Sequence, residues 1–303
     1  MPPLLGLIQI LAIGFVVSTI VLIVYTAYLL THPPRRTYAW SVSRGQPGDP
    51  GELDEPLAYE ARELTTKHGI IPIWDMQGRD PSGPVVLMTH GWGSSKQGAL
   101  KRLQSVADEA SRIVAWDLPG HGDAPGYARM GADEHLIARA LLEELRIDNQ
   151  PIILFGWSMG AGISLAICAS SQGQYPIRGV ICEALYAKPI TPARAVLALR
   201  GMPHRINLAS AMALIGMKLG VGAKWRGFDR VEIAPKIRVP LLLIHGDQDP
   251  VSPIEDSIAV QHAAPDAQLC TIEGGGHNNL WTDEVYAQQG RAAVSAFMKR
   301  CEN

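Results

Sequence analysis

The hydrophobic pattern divides the chain into three regions. The 27 residues from Leu4 to Leu30 carry no charge, and Gln9 is their one strongly polar side chain. As a helix at about 1.5 Å per residue they span about 40 Å, enough to cross a bilayer with some tilt. Between residues 31 and 56 apolar periodicity stops. Five prolines (Pro33, Pro34, Pro47, Pro50, Pro56) and three glycines (Gly45, Gly48, Gly51) mark that stretch as a linker. From about residue 57 the pattern becomes globular. It predicts a transmembrane anchor over 1–32, a linker over 33–57 and one α/β domain over 58–303. A flexible linker of about 25 residues reaches on the order of 25–30 Å, so the domain is expected to sample a thin layer above the bilayer.

Within the domain, short apolar runs alternate with longer stretches at helical spacing. Tyr59–Thr66 and Ile70–Met76 flank Lys67-His68-Gly69, a hairpin signal. Val85–Thr89, Ile113–Trp116, Ile152–Phe155, Gly179–Cys182, Leu241–Ile244 and Gln268–Ile272 read as strands. Ala99–Ser111, Glu134–Leu145, Ile254–Ala263 and Glu284–Lys299 read as helices. Early antiparallel strands followed by strand–helix alternation predict a mostly parallel, twisted sheet with helices on both faces. The alternation lapses between Ala187 and Pro240, where Pro192–Leu199 and Leu208–Leu219 are apolar and helical in spacing. An insert at about 188–238 falls at the carboxyl ends of the strands, where such sheets bind ligands. It is therefore expected to form a helical cap, with Met212 and Met217 adapting to an alkyl chain.

The charge pattern refines the first region. A secretory signal has an apolar stretch of about 7–15 residues after a basic start. Here Met-Pro-Pro precedes a run about twice that length, which favours a retained anchor over a cleaved peptide. Tyr25, Tyr28, Tyr38 and Trp40 gather toward one end, as an interfacial belt does. Arg35, Arg36 and Arg44 follow the apolar run and no basic residue precedes it, so the positive-inside rule expects a single-pass protein with its domain facing the cytoplasm. A net charge of −2 argues against nucleic acid as a partner. Cys168, Cys182, Cys270 and Cys301 show no metal-ligand spacing and read as reduced thiols.

Three segments carry candidate chemistry. Ile152–Phe155 runs into Gly156-Trp157-Ser158-Met159-Gly160 and then a small-residue helix. Strand, G-x-S-x-G, helix is the context of a nucleophile elbow, with glycines where a tight turn leaves no room for side chains. Leu241–Ile244 leads into His245-Gly246-Asp247-Gln248-Asp249, and Gln268–Ile272 leads into Glu273-Gly274-Gly275-Gly276-His277. A serine nucleophile needs a histidine to take its proton and a carboxylate to hold that histidine's tautomer. Ser158, His277 and Asp249 are the candidates. Asp247 is the alternative acid, set against Asp249 by the family motif named below, and Glu183 is a more distant one. His262 falls in a helix and reads as a surface residue, while His90, His121 and His245 read as structural. Val85–Thr89 enters His90-Gly91-Trp92-Gly93, a loop whose Trp92 N–H, with that of Met159, is placed to hold an oxyanion.

These motifs in this order resemble the α/β-hydrolase superfamily, from about Tyr59 to the end of the chain. Asp117-Leu118-Pro119-Gly120-His121-Gly122 is similar to the family's D-x-P-G-x-G loop, His245–Asp249 to its H-G-x-x-D turn and Gly276-His277 to its G-H pair. The resemblance implies an α/β-hydrolase fold and hydrolysis of esters, thioesters or amides through a Ser158-His277-Asp249 triad, with no metal or cofactor. The expected substrate is a small-molecule or lipid acyl compound. Peptidase or acyltransferase chemistry on the same triad, and a non-catalytic membrane-held binding protein, are the competing readings.

Overall fold

The computed structural model describes residues 2–147, 150–171 and 173–302. Its centre is an eight-stranded sheet: β1 (Tyr59–Thr66), β2 (Gly69–Gln77), β3 (Val85–Thr89), β4 (Arg112–Trp116), β5 (Ile152–Trp157), β6 (Ile177–Glu183), β7 (Leu241–Gly246) and β8 (Ala267–Ile272). The spatial order is β1-β2-β4-β3-β5-β6-β7-β8. β1 and β2 form the expected antiparallel hairpin, and β2 pairs antiparallel with β4. From β4 across to β8 every pairing is parallel. Every residue of β3, β5 and β7 is buried, as strands covered on both faces require.

Nine α-helices accompany the sheet among the described residues: α1 (Pro2–Thr31), α2 (Tyr38–Val42), α3 (Glu134–Glu144), α4 (Met159–Ser171), α5 (Ile190–Leu199), α6 (Leu208–Lys218), α7 (Arg230–Ile233), α8 (Ile254–Ala263) and α9 (Glu284–Glu302). Side chains alternate between the faces of each strand, so Leu87, Val114 and Leu154 pack toward α3, α4 and α8. Their neighbours Val86, Ile113, Ile153 and Phe155 pack toward α9 and the 96–105 segment. That segment differs from expectation. Its apolar positions Ala99, Leu100, Leu103, Val106 and Ala107 are buried, but residues 96–105 wind as a 3-10 helix. Two buried ion pairs, Lys96–Asp117 and Arg102–Glu183, draw its side chains inward.

α1 is long and apolar enough to cross a membrane, with a mean hydropathy of 2.8 over Leu4–Thr31. Its first turns are exposed, whereas Thr26, Ala27, Leu30 and Thr31 are buried against the domain. Asn207 Nδ2 donates to Thr26 Oγ1 at 2.6 Å. Trp92 Nε1 donates to the Leu30 carbonyl at 2.8 Å, and the Ala128 amide to that of Thr31 at 2.8 Å.

The stretch that follows departs from the expectation of a freely flexible linker. It contains α2 and a 3-10 turn over Pro50–Glu52, and Pro33, Ser41, Pro50 and Leu57 are buried. Arg35 donates to the carbonyls of Gly122 and Ala124, and Tyr38 donates to Glu52 at 2.5 Å. Proline and glycine do interrupt periodic structure here, but they leave the chain free to pack as a strap over the domain.

Helices α5 and α6 fall within the insert expected between Ala187 and Pro240. Met212 is buried in the core and Met217 is exposed, so neither takes the chain-lining role assigned to it. α6 packs against α1 instead, and α5 faces the site.

Candidate active site

Ser158 stands alone between β5, which ends at Trp157, and α4, which begins at Met159. Its φ of 54° lies in the left-handed region, uncommon for a residue with a side chain. The flanking glycines are forced by contact. A Cβ on Gly156 would lie 2.1 Å from the Gly160 carbonyl oxygen, and one on Gly160 would lie 1.9 Å from that of Thr89. The Ser158 amide donates to the Glu183 carbonyl at 2.8 Å, tying the turn to the neighbouring strand.

Two loops bring their side chains to this turn. His277 Nε2 lies 3.1 Å from Ser158 Oγ, and its Nδ1 lies 2.7 Å from Asp249 Oδ2. The carboxylate accepts from Nδ1–H, which leaves the Nε2 lone pair facing the serine hydroxyl. Asp249 Oδ1 accepts from the amides of Val251 at 2.7 Å and Ser252 at 2.9 Å. Burial raises the Asp249 pKa, but hydrogen bonds from His245 and His277 outweigh it and hold the carboxyl well below its usual range. Asp249 therefore stays ionised beside the imidazole.

Of the other sequence candidates, His245 touches this chain of contacts at Asp249 and the rest sit apart from it. Asp247 Oδ1 accepts from the Gly274 amide at 2.7 Å and so fixes the loop that carries His277. His245 braces the acid turn through Ser252 O at 2.9 Å and Ser257 Oγ at 2.6 Å. His90 Nδ1–H donates to Gly91 O, and Nε2 accepts from the Leu118 amide at 3.0 Å. Burial pushes the pKa values of His90 and His121 down to about 3, so both rings are neutral. His262 is exposed on α8. Glu183 spends its carboxylate on Arg102 Nε at 2.6 Å and Trp281 Nε1 at 2.7 Å. Arg102 in turn lies 4.1 Å over the Trp157 ring. Sequence reasoning missed this buried pair, because its two halves lie 81 positions apart and neither belongs to a motif.

The Gly91–Gly93 loop lies against the serine: a Cβ on Gly91 would come within 3.1 Å of Ser158 Cβ. Met159 is the first residue of α4, and a helix leaves its first amides without intrahelical acceptors. Trp92 and Met159 both border a cavity of about 650 Å³ above Ser158, a size suited to small-molecule ligands. Its walls are largely apolar and include Leu30 from α1, Trp40 and Leu53 from the strap, and Val196 and Leu199 from α5. The strap's part in this wall also went unseen in the sequence.

A parallel sheet with the serine at a strand-to-helix elbow, an acid after β7 and a histidine after β8 is the plan of an α/β hydrolase. The sequence pattern of the alpha/beta hydrolase family matches residues 85–289. The chain belongs to that family. The magnesium-chelatase 30 kDa subunit of Rhodobacter capsulatus is 23% identical over 263 residues, covering 75% of this chain and 92% of its own. An esterase of Pyrococcus furiosus superposes with a TM-score of 0.67 at 20% identity, over 91% of this chain and 99% of the esterase. A membrane phospholipase A superposes with a TM-score of 0.59 at 17% identity, over 99% of this chain and 98% of that one.

Proposed function

We propose that the protein is a membrane-anchored serine esterase that cleaves carboxylic esters or thioesters of medium or long acyl chains. The observation that carries this reading is the hydrogen-bonded series Ser158–His277–Asp249 at the floor of a largely apolar cavity. Ser158 Oγ attacks the acyl carbonyl while His277 Nε2 takes its proton. Asp249 holds the imidazole tautomer and stabilises the imidazolium. The amides of Trp92 and Met159 receive the oxyanion, aided by the positive end of α4. His277 then protonates the leaving group, and water released onto the acyl-enzyme by the same histidine frees the acid. The esterase and phospholipase among the structural neighbours support ester chemistry.

In this proposal residues 1–32 anchor the chain, 33–57 strap the anchor to the domain, and 58–303 form the hydrolase with its cap at about 188–238. Arg35, Arg36 and Arg44 after the apolar helix favour a cytoplasmic domain. The test is Ser158→Ala, which removes p-nitrophenyl ester hydrolysis and labelling by a fluorophosphonate while circular dichroism stays native. Wild-type turnover in that variant refutes the assignment. Protease protection of the domain in sealed inverted vesicles would refute the orientation.

A further inference from the structure

The cavity above Ser158 holds more positive charge than the protein itself neutralises. Arg36, Lys101, Arg102 and Arg200 line it, against the single carboxylate of Glu183. Arg102 and Glu183 cancel in their buried ion pair. Arg36, Lys101 and Arg200 have no ion-pair partner among the described residues. Lys101 Nζ makes one bond, to the Asn278 carbonyl at 3.3 Å.

These three cations arrive from distant parts of the chain. Arg36 comes from the strap, Lys101 from the 3-10 helix after β3, and Arg200 from the C-terminal end of α5. Aromatic faces hold the two guanidiniums. Arg36 lies 4.7 Å from the centre of the Trp40 ring, and Arg200 lies 5.2 Å from that of Trp92. The charges feel one another. Partial withdrawal from water at the cavity mouth, where the side chain keeps an exposed face, lowers the Arg36 pKa, and the charges of Arg44 and Arg200 lower it further. The Lys101 ammonium, exposed on one side, is pushed down to about 8, first by partial withdrawal from water and then by Arg102; Glu183 opposes the shift and Arg36 adds the smallest push. Like charges gathered at a cleft raise the local concentration of an anion and are relieved by binding one.

We infer that Arg36, Lys101 and Arg200 form an anion subsite of the catalytic cavity, and that the preferred substrates are acyl esters that also carry a phosphate or carboxylate. A guanidinium presents a planar fork that matches two oxygens of either group. Leu30, Leu53, Val196 and Leu199 line the same cavity and supply the apolar surface for the chain. The inference deepens the esterase reading and rests on it for the chemistry, but the subsite can be read without turnover.

The full chain in neutral detergent is assayed with 1-lauroyl-lysophosphatidic acid and 1-lauroylglycerol, which share an ester and a chain and differ by the phosphate. The expected kcat/KM ratio favours the phosphate by about tenfold or more, as charge-assisted contacts do, and shrinks at high salt. Arg36→Gln with Arg200→Gln brings the ratio toward one. Arg36→Lys with Arg200→Lys keeps most of it, which separates charge from packing.

A second arm uses calorimetry on Ser158→Ala. Hexyl phosphate binds, inorganic phosphate binds more weakly, and the paired Gln variant loses hexyl phosphate. Equal binding of both phosphates would reassign the subsite to the free anion. Equal kcat/KM for the two lauroyl esters in the wild type overturns the inference. So does a paired Gln variant that slows both esters equally, which would give the arginines a part in shaping the cavity and none in reading the phosphate. If neither ester is hydrolysed and Ser158 resists fluorophosphonate, the esterase reading fails. Hexyl phosphate binding then decides the subsite alone: binding lost in the Gln variant sustains it, and no binding discards it.

Discussion

The floor and the wall of the cavity are built in opposite ways. Ser158, Asp249 and His277 each follow a parallel strand of the sheet, and hydrogen bonds to backbone or to one another hold them. The wall comes from a strap and a cap helix that reach the site from outside the sheet. Arg36, Leu199 and Arg200 are exposed there, and Trp40 is held between the guanidiniums of Arg36 and Arg44 at 4.7 and 4.0 Å. A reaction needs its groups within fractions of an ångström, and the ends of rigid strands supply that. Choosing a substrate needs area and charge, which segments laid over the scaffold can supply and can change without disturbing the floor.

The largest expected effects break the floor. His277→Ala lowers kcat for a p-nitrophenyl ester by about 10⁴-fold or more, because nucleophile and base act as a unit. Asp249→Asn lowers it by about 10⁴-fold through loss of the correct tautomer. Asp247→Asn weakens one bond to the Gly274 amide and has a far smaller effect. Steady-state kinetics of the three variants check the order. A greater loss from Asp247→Asn than from Asp249→Asn would move the acid.

The floor was legible in the sequence for a physical reason. Each of its residues lies within a few positions of a buried strand, and the local turn that aims it demands glycine, as Gly156 and Gly160 show. Periodicity and turn chemistry are local signals. The strands, the hairpin, the order of the three side chains and the two helices between Ala187 and Pro240 followed from them. What depends on distant packing was not legible. The 3-10 winding of residues 96–105 goes with pairs between Lys96 and Asp117 and between Arg102 and Glu183, which no local pattern encodes. Residues 33–57 show few apolar positions, yet Leu53 and Trp40 reach the cavity because α1 docks beside it.

Next in size is the joint between floor and wall. Glu183→Gln leaves the Arg102 guanidinium buried without a counter-charge, and removing one partner of such a pair costs about 3–5 kcal/mol. Denaturant unfolding of the full chain in neutral detergent should show that loss. An unchanged midpoint would mean that Arg102 leaves the interior when its partner is lost.

A comparable, pH-dependent effect follows from His90 and His121, whose ring centres lie 5.0 Å apart. Their folded pKa values are about 3, below the ordinary 6.5. As pH falls below 6.5 the unfolded chain takes up protons that the folded chain refuses, so these groups favour unfolding progressively down to about pH 3. Their contribution to stability is complete above the ordinary value and is lost on acidification. Thermal unfolding between pH 7 and 4.5 should show a falling Tm, with a shallower slope in His121→Asn. Equal slopes would show that His121 takes no part in the acid loss.

The smallest effects should come from the wall, and they sharpen the comparison because they change preference while the floor stays intact. Each added methylene buried against the wall contributes about 0.8 kcal/mol. In the wild type, kcat/KM should therefore rise by up to about fourfold per carbon until the cavity is filled. Two truncations separate the parts of the N-terminal region. Deleting residues 2–21 removes the mostly exposed part of the helix and leaves Ile23, Thr26, Leu30 and the strap docked, so the chain-length profile should persist. Deleting residues 2–52 removes Leu30, Arg36 and Trp40 from the wall, so the profile should flatten while acetate hydrolysis changes least. Trp40→Ala reports the same wall without a truncation and should lower the longer esters by a few-fold. Identical profiles for both truncations and the intact chain would show that the strap borders the cavity without contributing to it, and selection would then rest with α5 alone.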